Sequence, residues 1–133
     1  PIASLDGGRF ITQEGKIITP VGGDKSLKLV SIIGRDNEYS TLLDSTFLLQ
    51  NILNLKGNSL ISIEHRGSGF IEAVDNESVT YRFNKEDFRV QLERLEELIL
   101  FELNSGNNDD IRYIDLRYKN AIALGNKNME KSI

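Results

Sequence analysis

Apolar residues recur with the period of an α-helix in two segments of the chain. The first segment predicts a helix over 36–53, which begins at Asp36, a residue type that often caps helix N-termini. The second predicts a helix over 85–103, after a similar cap at Asn84. Its apolar stripe consists of Phe88, Leu92, Leu95, Ile99 and Leu103. Both helices are expected to bury one face and to leave the other face in solvent.

Shorter apolar runs, mostly separated by turns that contain Gly, Asn or Asp, predict eight β-strands. Their expected positions are 9–12, 16–19, 27–33, 60–64, 70–74, 78–83, 111–118 and 121–124. The last two strands form a hairpin around a two-residue turn at Lys119-Asn120. The order β-β-β-α-β-β-β-α-β-β predicts an α+β fold, in which two helices pack on one side of a largely antiparallel, twisted sheet. The C-terminal hairpin is expected at the edge of that sheet.

The composition is that of one ordinary folded domain. The chain has 133 residues, of which 39% are hydrophobic and 27% are charged. We expect the domain to span 1–125 and a polar tail to follow over 126–133. A net charge of −4 without a basic stripe argues against nucleic-acid binding. The absence of Cys and the presence of a single His exclude disulfides, Cys-based zinc sites and multi-His metal sites, so no cofactor is expected.

The single histidine, His65, lies at a predicted strand end beside Glu64. A carboxylate can orient an imidazole as a general base, so a small hydrolase that uses His65 with Glu64 is one hypothesis. A surface histidine at a turn is the simpler interpretation. The nearby Gly67-Ser68-Gly69 lacks the Lys-Ser/Thr of a phosphate-binding loop, which favours a tight turn. The residues alone therefore form no convincing catalytic site.

The last predicted hairpin has two interpretations. Asp115 and Arg117 fall on one face of its first strand, where they can form an ion pair that closes the sheet. Alternatively, the final strand is a sheet edge, whose unpaired backbone N–H and C=O groups can accept a strand from another protein. The periodicity favours neither interpretation over the other.

The sequence of this hairpin resembles the end of the β domain in the FtsQ/DivIB family of bacterial cell division proteins. That family closes with a strand carrying a Val/Ile-Asp-Leu-Arg-Tyr signature, which stands here as Ile114-Asp115-Leu116-Arg117-Tyr118. A tight turn and a short apolar strand follow, as they do at 119–124. Residues 1–3, 10–11 and 14–18 resemble the start of the family's β domain, and 29–34 resemble the segment before its first helix. The resemblance covers roughly residues 1–125.

The resemblance implies a non-enzymatic scaffold of the bacterial divisome. Family members are single-pass proteins of the cell inner membrane, with a cytoplasmic tail, a transmembrane helix, a POTRA domain and then this β domain in the periplasm. They bridge early and late division proteins, chiefly by binding FtsB and FtsL. The expected partners are therefore FtsB-like and FtsL-like proteins, with no nucleic acid and no small-molecule substrate. No apolar run here approaches the roughly 18 residues of a membrane span, so the anchor is expected in a missing N-terminal segment.

In the family, a partner segment adds a strand to the last β-strand of this domain. The matching positions here are Arg117, Tyr118, Asn120, Ala121, Ile122, Ala123, Leu124 and Gly125. Tyr118 offers an aromatic anchor, and Arg117 could hold an acidic partner residue by a bidentate pair. The chain departs from the family at Asn126, where Trp often stands, and its tight turn lacks Gly.

Two alternative functions belong to other classes. One is the hydrolase that would use His65 and Glu64, and the other is a purely structural spacer domain. An activity lost on replacing His65 would favour the hydrolase, whereas a co-purifying division protein would favour the scaffold.

Overall fold

Over the residues that the structure describes, the chain forms one nine-stranded β-sheet and two α-helices. The computed structural model describes residues 3–5, 9–12, 14–18, 29–67, 69–105, 111–118 and 122–126. The strands are β1 Ala3–Leu5, β2 Phe10–Ile11, β3 Ile17–Ile18, β4 Val30–Ile33, β5 Leu60–Arg66, β6 Phe70–Asp75, β7 Thr80–Asn84, β8 Ile111–Asp115 and β9 Ala123–Asn126. The helices are α1 Tyr39–Leu53 and α2 Phe88–Ser105, with short 3₁₀ turns at Asp36–Glu38 and Asn54–Lys56.

The strands lie in the order β3-β2-β1-β4-β5-β6-β7-β8-β9. Five neighbouring pairs are antiparallel, and three are parallel, namely β1–β4, β4–β5 and β7–β8. The last two parallel pairs are joined through α1 and α2, since a parallel connection needs a crossover long enough to hold a helix. The prediction of an α+β fold with a largely antiparallel sheet is confirmed. The sequence analysis did not anticipate β1 or the parallel pairs.

Both helices pack on one face of the sheet and share one core with it. On α2 the stripe residues Leu92, Leu95 and Ile99 are buried, as predicted, but Leu103 is 53% exposed. An α-helix has about 3.6 residues per turn, so each step of four rotates a residue about 40° past its predecessor. Two such steps follow Leu95, and Leu103 therefore turns away from the core.

The opposite face of the sheet carries polar and aromatic side chains. Cross-strand pairing places one residue from each of five strands in a row there, in the order Glu64, Glu72, Arg82, Asp115 and Ala123. Their strand neighbours Ile63, Ala73, Tyr81 and Ile114 face the helices and are buried. We call this side, on which the described residues place no helix, the outer face.

A buried carboxylate connects two turns at one end of the sheet. Asp75 accepts hydrogen bonds from the Glu77 and Val79 N–H groups over 2.9 and 3.0 Å. It also accepts from Tyr81 Oη over 2.7 Å and from Asn58 Nδ2 over 3.0 Å. Burial, followed by the hydrogen bond to Asp75, raises the pKa of Tyr81 far above its usual range. We call Asp75 and these four donors the turn cluster.

Candidate functional site

β9 forms one end of the sheet. Among the residues that the structure describes, it pairs only with β8, so its other backbone edge faces outward. A strand in this position presents N–H and C=O groups that can pair with another chain. The predicted placement of the C-terminal hairpin at a sheet edge is thus observed.

The register of this hairpin differs from the prediction. A two-residue turn at Lys119-Asn120 would pair Asp115 with Leu124, whereas the observed partners are Asp115↔Ala123 and Ile114↔Leu124. The predicted strands 111–118 and 121–124 are replaced by Ile111–Asp115 and Ala123–Asn126. A shift of one residue moves each side chain to the other face of a strand, so it decides which β9 residues belong to the outer face.

The side chain of Asp115 explains why β8 ends there. Its Oδ1 accepts a hydrogen bond from the Arg117 N–H over 3.1 Å, which turns the backbone two residues further on. The Leu116 N–H still donates to the Arg82 carbonyl over 2.8 Å, so the chain leaves the sheet directly after that bond. Local side-chain bonding of this kind competes with strand pairing, and alternation of apolar residues does not reveal it.

Asp115 and Arg117 form a bidentate ion pair on the outer face. Arg117 donates from Nε to Oδ1 over 2.9 Å and from Nη2 to Oδ2 over 2.7 Å. The Asp115 residue is only 4% exposed. Burial raises the pKa of the Asp115 carboxyl, but the hydrogen bonds and charge of Arg117, together with Arg82, outweigh it and lower the pKa below its usual range. The predicted ion pair is therefore observed, and so is the position of β9 at a sheet edge, whereas acceptance of a partner strand there stays a prediction.

The guanidinium of Arg117 is occupied within the domain. Besides its bonds to Asp115, its Cζ lies 4.8 Å from the centre of the Phe70 ring, in cation–π geometry. About a third of its side chain is exposed, 34%. A partner carboxylate that approached Arg117 would therefore have to share it with Asp115. The bidentate contact to a partner stays a prediction.

Two side chains outside the hairpin hold the chain just after β8. Asn84, the last residue of β7, donates from Nδ2 to the Arg117 carbonyl over 2.9 Å. Arg94 on α2 donates from Nη1 to the Tyr118 carbonyl over 2.6 Å. Tyr118 itself remains largely open to solvent, at 55% exposure. We call 116–118 the shoulder of the site.

The outer face of β9 has little side-chain volume. Its residues there are Ala123 and Gly125, which pair with Asp115 and Tyr113. A Cβ atom on Gly125 would overlap the ring of Tyr113, which lies across the glycine. The Arg82 guanidinium in turn lies 5.0 Å from the centre of that ring. Any larger residue at Gly125 would therefore have to displace the Tyr113 ring.

The predicted partner-binding residues that the structure describes therefore lie in three kinds of environment: on the shoulder, exposed on β9, or packed within the domain. Arg117 and Tyr118 lie on the shoulder, and Leu124 on β9 is 38% exposed. Ile122 packs against the core, and Gly125 is buried under Tyr113. Asn120 and Ala121 lie outside the described residues. The sequence analysis missed Phe70, Asn84 and Arg94, because no motif marks side chains that reach the hairpin from distant strands and helices.

His65 does not pair with Glu64. The two are neighbours on β5, so they point to opposite faces, and Glu64 pairs with Arg66 over 3.2 Å. The carboxylate at His65 Nδ1 is Glu38, from the 3₁₀ turn before α1. The pKa of Glu38 is lowered, mainly because its carboxylate accepts a hydrogen bond from the Arg35 N–H. Burial raises this pKa, but the nearby His65 and Lys85 lower it further.

The geometry around His65 does not resemble an open general base. Its Nε2 is buried and has no hydrogen-bond partner among the described residues. A catalytic base must reach a substrate proton directly or through one water molecule. The described part of the chain also contains no group of three metal-ligating side chains.

Comparison with known proteins gives no family assignment: no protein-family model and no curated protein matches the chain. Within the described ranges, neither helix combines the length and apolar character that a membrane crossing requires. The candidate site is thus defined by its geometry and by the resemblance of its sequence.

Proposed function

We propose that this chain is an FtsQ-type β domain, a non-enzymatic scaffold of the bacterial divisome that bridges early and late division proteins. It would recruit an FtsB/FtsL-like complex by accepting a partner strand at β9. One observation carries the proposal: β9 is an end strand of the sheet, and it pairs with β8, whose last residue, Asp115, is the first of the Asp-Leu-Arg-Tyr signature. In this proposal the full protein is held in the inner membrane by a segment outside this sequence, with the domain in the periplasm at the division site.

The site has features that strand addition requires. A strand as short as β9 can form only a few backbone bonds, each contributing about 0.5–1.5 kcal/mol net. Side chains must therefore add affinity, and large apolar or aromatic groups do so best. Tyr118 and Leu124 are both partly open to solvent beside the edge, at 55% and 38% exposure. They are the side chains that a partner strand would contact.

The proposal does not include catalysis by His65. The hydrolase hypothesis needed Glu64 beside the imidazole, and the structure places Glu38 there instead. The Nε2 atom of His65 is itself buried, although the side chain is 18% exposed. A spacer without partners remains the competing function, and the experiment below separates it from the scaffold.

The test uses proline at two neighbouring β9 positions, Ala123→Pro and Leu124→Pro. In an antiparallel pair, successive residues direct their N–H groups to opposite edges of the strand. One substitution therefore removes an N–H that pairs with β8, and the other removes an N–H that faces outward. We expect the substitution that removes the N–H paired with β8 to lower the urea midpoint, and the substitution that removes the outward-facing N–H to leave it nearly unchanged. The outward-facing substitution should weaken binding of a purified FtsB-like segment in calorimetric titration.

A side-chain pair completes the experiment. Tyr118→Ala should weaken binding by about 1–3 kcal/mol. Phe101→Ala is the matched control, because Phe101 is 68% exposed on α2 and lies outside the proposed site. A parent domain that binds no such segment, or a folded outward-facing proline variant that binds as tightly as the parent, would overturn strand addition.

A further inference from the structure

The shoulder is held by side chains from two different elements. Asn84 reaches the Arg117 carbonyl from the end of β7, and Arg94 reaches the Tyr118 carbonyl from α2. We infer that Asn84 and Arg94 are positioning residues of the partner-binding edge, which fix the direction in which Tyr118 leaves the domain. This inference rests on the proposed function and extends it to residues that do not contact the partner themselves.

The charge of the Arg94 donor supports this role. The Arg94 bond is 2.6 Å long and is charge-assisted, which makes it stronger than a bond between neutral groups. It draws the Tyr118 carbonyl towards α2, while the Tyr118 residue remains 55% exposed. The backbone is thus held on the domain side while most of the residue's surface stays available to a partner.

The neighbouring bonds leave the shoulder little freedom. The Leu116 N–H is bound to the Arg82 carbonyl, and the Arg117 N–H is bound to Asp115 Oδ1. With the two carbonyl bonds from Asn84 and Arg94, all three shoulder residues have a backbone group fixed. A site that is ordered before binding loses less conformational entropy when the partner arrives. Loss of either positioning residue should therefore weaken binding without removing a partner contact.

The test measures affinity of the full 133-residue chain for a purified FtsB-like segment. Arg94→Met keeps the length of the side chain but removes its donors, and we expect affinity to fall about 10-fold, because the freed shoulder must then be ordered when the partner binds. Arg94→Lys keeps a charged donor and should restore most of that loss. Arg89→Met is the matched control, since Arg89 is exposed on the same helix. Asn84→Asp removes the Nδ2 donor in an isosteric side chain and should act in the same direction as Arg94→Met.

A double variant shows whether Arg94 acts through Tyr118. If it does, Arg94→Met should have almost no further effect on affinity in the Tyr118→Ala background. Fully additive losses would overturn the positioning role, as would an Arg94→Met variant that binds like the parent. Absence of binding by the parent itself would overturn the proposed function and this role with it. The urea midpoint of each variant is measured in parallel. A loss of affinity that Arg94→Lys does not restore would indicate that Arg94 has a structural role in the fold instead of a positioning role.

Discussion

Two aspartates of this domain, Asp75 and Asp115, are both almost completely buried, at 2% and 4% exposure. Asp75 is held by neutral donors, two backbone N–H groups, an amide and a phenol, and the Lys56 ammonium lies 4.0 Å away. Asp115 is held mainly by one cation, Arg117, two residues further along the chain. The first carboxylate therefore joins distant parts of the fold, whereas the second shapes only the start of the shoulder.

The two clusters also differ in what surrounds them. The turn cluster is closed, since Asp75, Tyr81 and Asn58 are all buried on the helix side of the sheet. The ion pair of Asp115 lies on the outer face, and Arg117 is a third exposed. A buried carboxylate can thus serve either the stability of the core or the shape of a surface, depending on whether its partners can reach water.

The largest effect should come from the turn cluster. Asp75→Ala leaves two backbone N–H groups and the Tyr81 hydroxyl without their acceptor, at an expected cost of about 3–5 kcal/mol. Urea denaturation measures this cost. Asp44→Ala, at an exposed position on α1, is the control and should change stability by less than about 0.5 kcal/mol. Equal losses of stability on the two substitutions would contradict the description of Asp75 as a carboxylate that connects two turns.

Removing the partner of Asp115 should cost less. Arg117→Ala leaves a buried carboxylate unpaired, but on the outer face the carboxylate can regain water, so we expect a loss of about 1–3 kcal/mol. In the Asp115→Asn background the same substitution should cost less, because no charge is left unpaired. Additive losses in this double-mutant cycle would show that the ion pair does not stabilise the domain.

The close packing of Tyr113 on Gly125 gives a third, smaller effect. Gly125→Ala forces the Tyr113 ring to move, and we expect a cost of about 1–2 kcal/mol from overpacking. Gly67→Ala is the control, because a Cβ atom there would meet nothing within 4 Å. If Gly125→Ala leaves the urea midpoint unchanged, the ring can move freely and does not limit this position.

The smallest expected effect is a pH dependence of stability that arises from the Asp115–Arg117 ion pair. The pKa of Asp115 in the folded domain lies below its usual value, which is about 3.9 in an unfolded chain. As the pH falls, the unfolded chain takes up the proton first, so the stabilisation is complete above about pH 5 and is lost as the pH falls through the folded pKa. The stability advantage of the parent over Asp115→Asn should therefore shrink between about pH 5 and pH 3. An advantage that is constant over this range would contradict ionic pairing as its cause.

The helices show how much of the fold can be predicted from the local pattern of apolar residues. A period of 3.6 residues is a property of neighbouring residues, so the sequence predicted both helices, the buried Leu95 and the general α+β class. Leu103 departed from the prediction because the spacing of the stripe drifts around the helix. The hairpin at the sheet edge was likewise expected from its order in the chain.

The sequence by itself thus predicted both helices, the approximate positions of every strand except β1, and the C-terminal hairpin at a sheet edge. Tertiary structure alone decided the parallel pairs, the register Asp115↔Ala123, and the pairing of His65 with Glu38 instead of Glu64. It also brought Asn84 and Arg94 to a shoulder that lies 33 and 24 residues away in the sequence. The physical reason is that strand register and side-chain partners depend on contacts between distant segments, where a shift of one residue exchanges the two faces of a strand.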